Sequence, residues 1–135
     1  MTTLNEARGR IYQDFVTAWG STSPFTFDNE AFNQPSGPWV RLTVRHNASQ
    51  QESLGPINRR KFERGGSVFI QCFTPLDSGA ASADNLASVA RAAFEGRTLT
   101  PENIRFTEVI VREIGPSEEW YQVNVEALFT YTETK

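Results

Sequence analysis

The sequence predicts an α+β domain, with two helices packed on one mostly antiparallel sheet in the order α-β-β-α-β-β. Three observations carry that prediction. Apolar residues recur every three or four positions through 4–19 and 82–95, as on one face of a helix. They alternate with polar residues through 39–45, 104–114 and 120–132, and run almost unbroken through 67–74, as in strands. The chain has 135 residues, enough for one core, whereas a second independent core would leave each half of marginal size. A single domain over 1–135 is expected.

The first helix is written by Leu4, Ala7, Ile11, Phe15 and Ala18 on one face. Thr3 and Glu6 form a T-x-x-E start, in which the hydroxyl and the carboxylate can satisfy free amide donors, and Gly20 is placed to stop the helix. Residues 20–38 are rich in Ser, Pro, Gly and Asn, with Phe25, Phe27 and Phe32 available to tack the segment onto the core. In the strand from Trp39 to Arg45, Val40, Leu42 and Val44 oppose Trp39, Arg41, Thr43 and Arg45, so the second set is expected to be wet or interfacial.

From His46 to Gly66 no period is sustained, and the stretch reads as a long mobile loop. Connections beyond about 12 to 15 residues are uncommon in compact domains and are usually functional. The strand from Ser67 to Thr74 is apolar enough to be central in its sheet, and Pro75-Leu76-Asp77-Ser78-Gly79 closes it. The second helix, Ser82 to Glu95, presents Ala83, Leu86, Ala87, Ala90, Ala93 and Phe94, with Gly96 as its stop. Two strands follow, the first with a bulge expected near Glu108, joined by Gly115-Pro116-Ser117-Glu118-Glu119.

Composition removes several function classes. No segment reaches the roughly 18 apolar residues of a membrane span, and the N-terminus lacks the basic flank and apolar run of a secretory signal. Cys72 is the only cysteine and His46 the only histidine, which excludes a disulfide framework, a multi-thiolate zinc site and a His-rich metal site. No phosphate-binding glycine loop, dinucleotide fingerprint, nucleophile elbow or H-E-x-x-H occurs. No cofactor is expected and no catalytic residue stands out.

The charge is more informative than its sum of −3. Between Arg41 and Arg64 lie six basic residues, Arg41, Arg45, Arg59, Arg60, Lys61 and Arg64, against two acidic ones, a local +4 that leaves −7 for the rest of the chain. Such a chain can pair with copies of itself. The cluster around Arg59-Arg60-Lys61 could also meet phosphate, and Trp39 beside Arg41 and Arg45 could stack bases. With a pI near 5.2 and no recognised nucleic-acid motif, a subunit-facing patch accounts for these residues better.

Local patterns then add a family resemblance. They are the first helix ending at Trp19, Phe27-Asp28-Asn29 after Pro24, Trp39-Val40-Arg41 opening the first strand, Gly65-Gly66 ahead of Val68-Phe69-Ile70, and Phe73-Thr74-Pro75 with Gly79 before the second helix. In that order they resemble the phage and prophage tail-terminator-like proteins, with the lambda-type tail terminator fold. The resemblance implies a non-enzymatic virion protein that forms a ring, typically a hexamer, on the end of the tail tube, stops its polymerisation and offers a head-tail joining surface. Its implied partners are copies of itself, the tail tube protein and a head-completion or neck protein, with DNA only as passing cargo and no membrane. It implies residence in the virion tail, after assembly in the host bacterial cytoplasm, and a chain that can be monomeric when free. The six basic residues are the expected subunit or tube interface. Another neck or tail-tube component is the alternative reading, and a nucleic-acid-binding module the more distant one.

Overall fold

The computed structural model describes residues 2–28, 30–77 and 79–135. Met1, Asn29 and Ser78 lie outside the described residues, including the parts they play in the Phe27-Asp28-Asn29 pattern and in the turn after Pro75. The chain folds as α1 (Leu4–Trp19), β1 (Phe25–Phe27), β2 (Trp39–Gln51), β3 (Lys61–Pro75), α2 (Ala80–Phe94), β4 (Thr98–Leu99), β5 (Ile104–Ser117) and β6 (Trp120–Thr134).

This corrects the expected fold class. In place of an α+β domain with helices on a mostly antiparallel four-stranded sheet, the protein is mainly β, built on one six-stranded mixed sheet in the order β1-β2-β3-β6-β5-β4. Strands hold twice as many residues as helices. The α-β-β-α-β-β order survives as the order of the long elements, and two short strands are added to it. β1 pairs in parallel with β2, and β4 pairs with the first two residues of β5. Both are too short to show a period, so the sequence marks β1 only as two phenylalanines.

The expected loop at 46–66 is also corrected. β2 runs on to Gln51 and β3 begins at Lys61, so that 52–60 alone connects them. Gln51 still faces Phe62, and Lys61 faces Thr134 at the end of β6. The outer halves of β2, β3 and β6 thus form a three-stranded arm. Its polar sequence has a simple cause. Alternation records burial of one face, and much of the arm extends beyond the helices, so its ladder is held by backbone hydrogen bonds without an apolar code.

The helix ends behave as their sequences require. Thr3 accepts a hydrogen bond from the Glu6 amide at 3.3 Å, while the Thr3 hydroxyl donates to the Glu6 carboxylate at 3.0 Å instead of that carboxylate capping an amide. Gly20, at φ 57°, sends its N–H to the Val16 carbonyl and ends α1. α2 buries Ala83, Ala87, Ala90 and Ala93, whose small side chains bring its backbone close to the sheet.

The core lies between the helices and one face of the sheet. Phe15 is fully buried and stacks on Trp19 at 5.2 Å and Phe94 at 6.4 Å, with Phe25 edge-on at 5.6 Å. Phe27 stacks on Tyr12 at 4.2 Å. Two of the three expected tacks therefore hold β1 under α1. The third, Phe32, packs at 5.1 Å on Trp39, which points to the other face of the sheet.

Three register shifts and one glycine shape the strands. β5 shifts register between Phe106 and Glu108, where a bulge is expected, and again between Glu113 and Gly115. β2 shifts between His46 and Ala48. Opposite that bulge sits Gly66, where a Cβ would lie 1.9 Å from the Arg45 carbonyl oxygen. Only glycine permits so close an approach of two backbones.

Candidate assembly surface

Strand alternation places Val40, Leu42 and Val44 in the core and turns Arg41 and Arg45 to the face that carries no helix. Across the sheet, Arg41 continues through Gln71 and Asn124 to Arg112, and Arg45 through Ser67 and Leu128 to Glu108. This face is polar at its centre. Glu126 ties it together, accepting from the Ser67 hydroxyl at 3.0 Å and from Arg112 at 3.3 Å.

Trp39 occupies the same face but not as a wet residue. It is 1% exposed, stacked on Phe73 at 4.3 Å and met edge-on by Trp120 at 6.0 Å. The Arg41 guanidinium sits 5.3 Å from its ring centre. Trp39 therefore has no open ring face for a base, and the stacking that would favour a nucleic-acid reading is unavailable to it.

The six basic residues do not form one patch. Arg59, Arg60 and Lys61 gather at the tip of the arm, where Arg60 donates to the Gly55 carbonyl at 2.9 Å. Leu54 and Ile57 in the same connection are 94% and 72% exposed. Arg64 points to the helix side instead. It pairs with Glu133 at 3.2 Å, bonds the Ser49 hydroxyl and lies 4.9 Å from the Phe62 ring centre. Its charge is used within the chain. Among the described residues, Arg41, Arg45, Arg59, Arg60 and Lys61 make no ion pair.

Two clefts flank the root of the arm, and both reach His46. One, of about 650 Å³, is lined by Leu4, His46, Ser49, Arg64, Tyr131 and Glu133. The other, of about 750 Å³, runs along β2 beside Leu4, Arg8, Tyr12, Val44 and Phe69. Neither cleft brings a nucleophile to a base. Cys72 is fully buried on β3 opposite Val40, its thiol pushed up to about 12 by burial, whereas His46 lies opposite Gly66. Cys72 therefore behaves as a small core residue. Among the described residues no cluster of His, Cys, Asp or Glu could hold a metal ion, and no helix is long and apolar enough to cross a membrane.

His46 stands edge-on to Phe129 at 5.5 Å and to Tyr131 at 5.7 Å, with both ring nitrogens buried and without a hydrogen-bond partner. Burial lowers its pKa below the ordinary 6.5, and the nearby Arg8 charge lowers it further. Below that value the unfolded chain takes up a proton that the folded chain resists, so this group removes stability as pH falls. His46→Phe is expected to lose less stability than the wild type between about pH 7 and about pH 5. Thermal melts across that range check it, and equal slopes would refute the burial of a neutral imidazole.

What periodicity could not locate are the free strand edges. β1 covers β2 only at Val40–Leu42 and β4 covers β5 only at Ile104–Arg105. Among the described residues the outward edges of β2 from Thr43 and of β5 from Thr107 face no other strand, and on the first the Val44 carbonyl accepts from the Arg8 guanidinium at 3.2 Å. Backbone donors along an edge leave no mark in side-chain pattern.

Residues 8–128 match the family model described as phage tail terminator protein, and the chain belongs to that family. It is thus a phage tail structural protein by kind. A solved structure titled only by a sequence identifier superposes with a TM-score of 0.68 at 17% identity, over 92% of this chain and 94% of its own, which shows a shared fold. Another, titled as the virion of a native gene transfer agent particle, gives a TM-score of 0.45 at 14% identity over 93% and 92%. No curated protein matches.

Proposed function

We propose that this protein, acting as one domain over 1–135, forms a ring on the end of the tail tube, halts tube polymerisation and supplies the surface to which the head joins. The family match over 8–128 carries this reading. The work is geometric and non-enzymatic, and it requires a heterologous interface that closes on itself, in which one patch meets a different patch on the next copy. A hexamer is the expected ring. Arg59, Arg60 and Lys61, with Arg41 and Arg45, supply the positive side of that interface or of its contact with the tube, and Arg64 supports the arm from within. The neck protein and the tube protein are the partners beyond the ring, DNA crosses it as cargo, and assembly takes place in the host bacterial cytoplasm.

The test is the length of the tails. Particles made without this protein are expected to show overlong tubes that carry no heads in negative-stain electron microscopy. Tubes of normal length with heads attached would refute the role, and a subunit repeating along the whole tube would favour a tube component instead.

A further inference from the structure

We propose that copies of this chain recognise each other by strand pairing, the free edge of β5 in one copy lying against the free edge of β2 in the next. The inference rests on the ring reading above and names the surfaces that would close it.

The strand directions permit it. β2, β3, β6 and β5 alternate in direction along the sheet, so β5 runs opposite to β2. A copy related by rotation about an axis along the strands keeps those directions, and its β5 arrives antiparallel beside β2. Every junction is then the same two different edges, which is the condition for a ring. The helices of all copies fall on one side of the continuous sheet and the polar face of Arg41, Gln71 and Asn124 on the other.

The β5 edge is open where pairing needs it, and on the β2 edge the Val44 carbonyl holds the Arg8 guanidinium at 3.2 Å, a side-chain contact that the incoming strand replaces. Between its two bulges β5 keeps an unbroken register with β6 from Glu108 to Glu113, and Val109-Ile110-Val111 within it is apolar and half-buried. Natural edges of this length are usually shielded. The facing edge of β2 from Thr43 to His46 is bordered by the cleft of about 750 Å³, beside which Leu4 is 44% exposed. The covers stand at opposite ends. β1 occupies β2 at the end away from the arm, and β4 occupies β5 at the arm end. The free stretches are therefore staggered, and neighbours must be offset along the strands, as strands are in any closed tilted sheet. That offset carries Glu113 toward Arg45 and Glu108 toward the basic arm.

Charge identifies the occupant as a second copy. The β2 edge with its arm tip, residues 43–61, holds four cations (Arg45, Arg59, Arg60, Lys61) and one anion (Glu52), a net +3. The β5 edge with its turn, residues 107–119, holds four anions (Glu108, Glu113, Glu118, Glu119) and one cation (Arg112), a net −3. Arg112 is engaged by Glu126, and none of these four anions makes an ion pair among the described residues. Two surfaces of equal and opposite charge on one chain favour head-to-tail pairing and oppose like-edge pairing.

The experiment uses the full chain in three forms: Arg45→Glu with Arg59→Glu and Arg60→Glu; Glu108→Lys with Glu113→Lys; and all five changes together. Sedimentation measures self-association, with circular dichroism as the check on folding. Each partial set is expected to weaken association at least about tenfold, while an equimolar mixture of the two, or the chain carrying all five changes, recovers it. Partial sets that associate like the wild type, a mixture that does not recover, or a wild type that stays monomeric at millimolar concentration would each overturn the pairing. Hydrogen exchange on the wild type needs no variant. Amides of Val109–Glu113 should slow on association, and unchanged exchange there also overturns the proposal. Any of these failures alongside overlong, headless tails in the absence of the protein would leave the terminator role standing without this interface.

Discussion

Gly66→Ala is expected to destabilise the protein by about 3 kcal/mol, the upper end of what overpacking costs. The added Cβ would meet the Arg45 carbonyl oxygen at 1.9 Å and the Arg45 carbonyl carbon at 2.9 Å, both backbone atoms that cannot rotate aside. β2 and β3 would have to part at the His46–Ala48 bulge. The cost is a large share of the 5–15 kcal/mol that holds a domain together. The arm also loses its anchor, because Gly66 faces Phe129 on its other side and the three outer strands share that register. Urea denaturation checks the expectation. A variant within about 0.5 kcal/mol of the wild type would show that the strands separate there without penalty. Gly65→Ala is the milder control, its Cβ meeting the Phe129 carbonyl oxygen at 3.1 Å.

Reversing Arg59, Arg60 and Lys61 to glutamate should do the opposite, leaving the fold intact and abolishing joined tails. All three lie at the arm tip outside the core, and the single side-chain bond at stake is that of Arg60 to the Gly55 carbonyl. Exposed substitutions of this kind cost within about 0.5 kcal/mol. The proposed interface changes far more, since three cations that the proposal sets against acidic groups on a neighbour become three anions, and like charges juxtaposed across a contact cost several kcal/mol. Electron microscopy of tails and plating of the mutant phage measure the effect together. Unimpaired infectivity would show that the tip touches nothing in the assembled tail.

The sequence alone determined what burial writes into side chains. α1 from Leu4 to Trp19, the core faces of the long strands, the central place of β3 and the bulge before Glu108 all follow from apolar period and its interruption. The lone Cys72 and the opposed charges were legible for the same reason, because each is a property of residues and needs no neighbours. Tertiary structure decided what depends on partners across space. It turned the polar stretch at 46–66 into paired strands, because backbone hydrogen bonds need no apolar code. It buried Trp39 under Phe32, Phe73 and Trp120, which come from three distant segments. It sent Arg64 to the opposite face from Arg41 and Arg45, since on β3 Arg64 alternates in step with Val68 and Ile70, which face the core. The free edges of β2 and β5 belong to that second group. An edge is defined by the strand that is not beside it, and no residue records that.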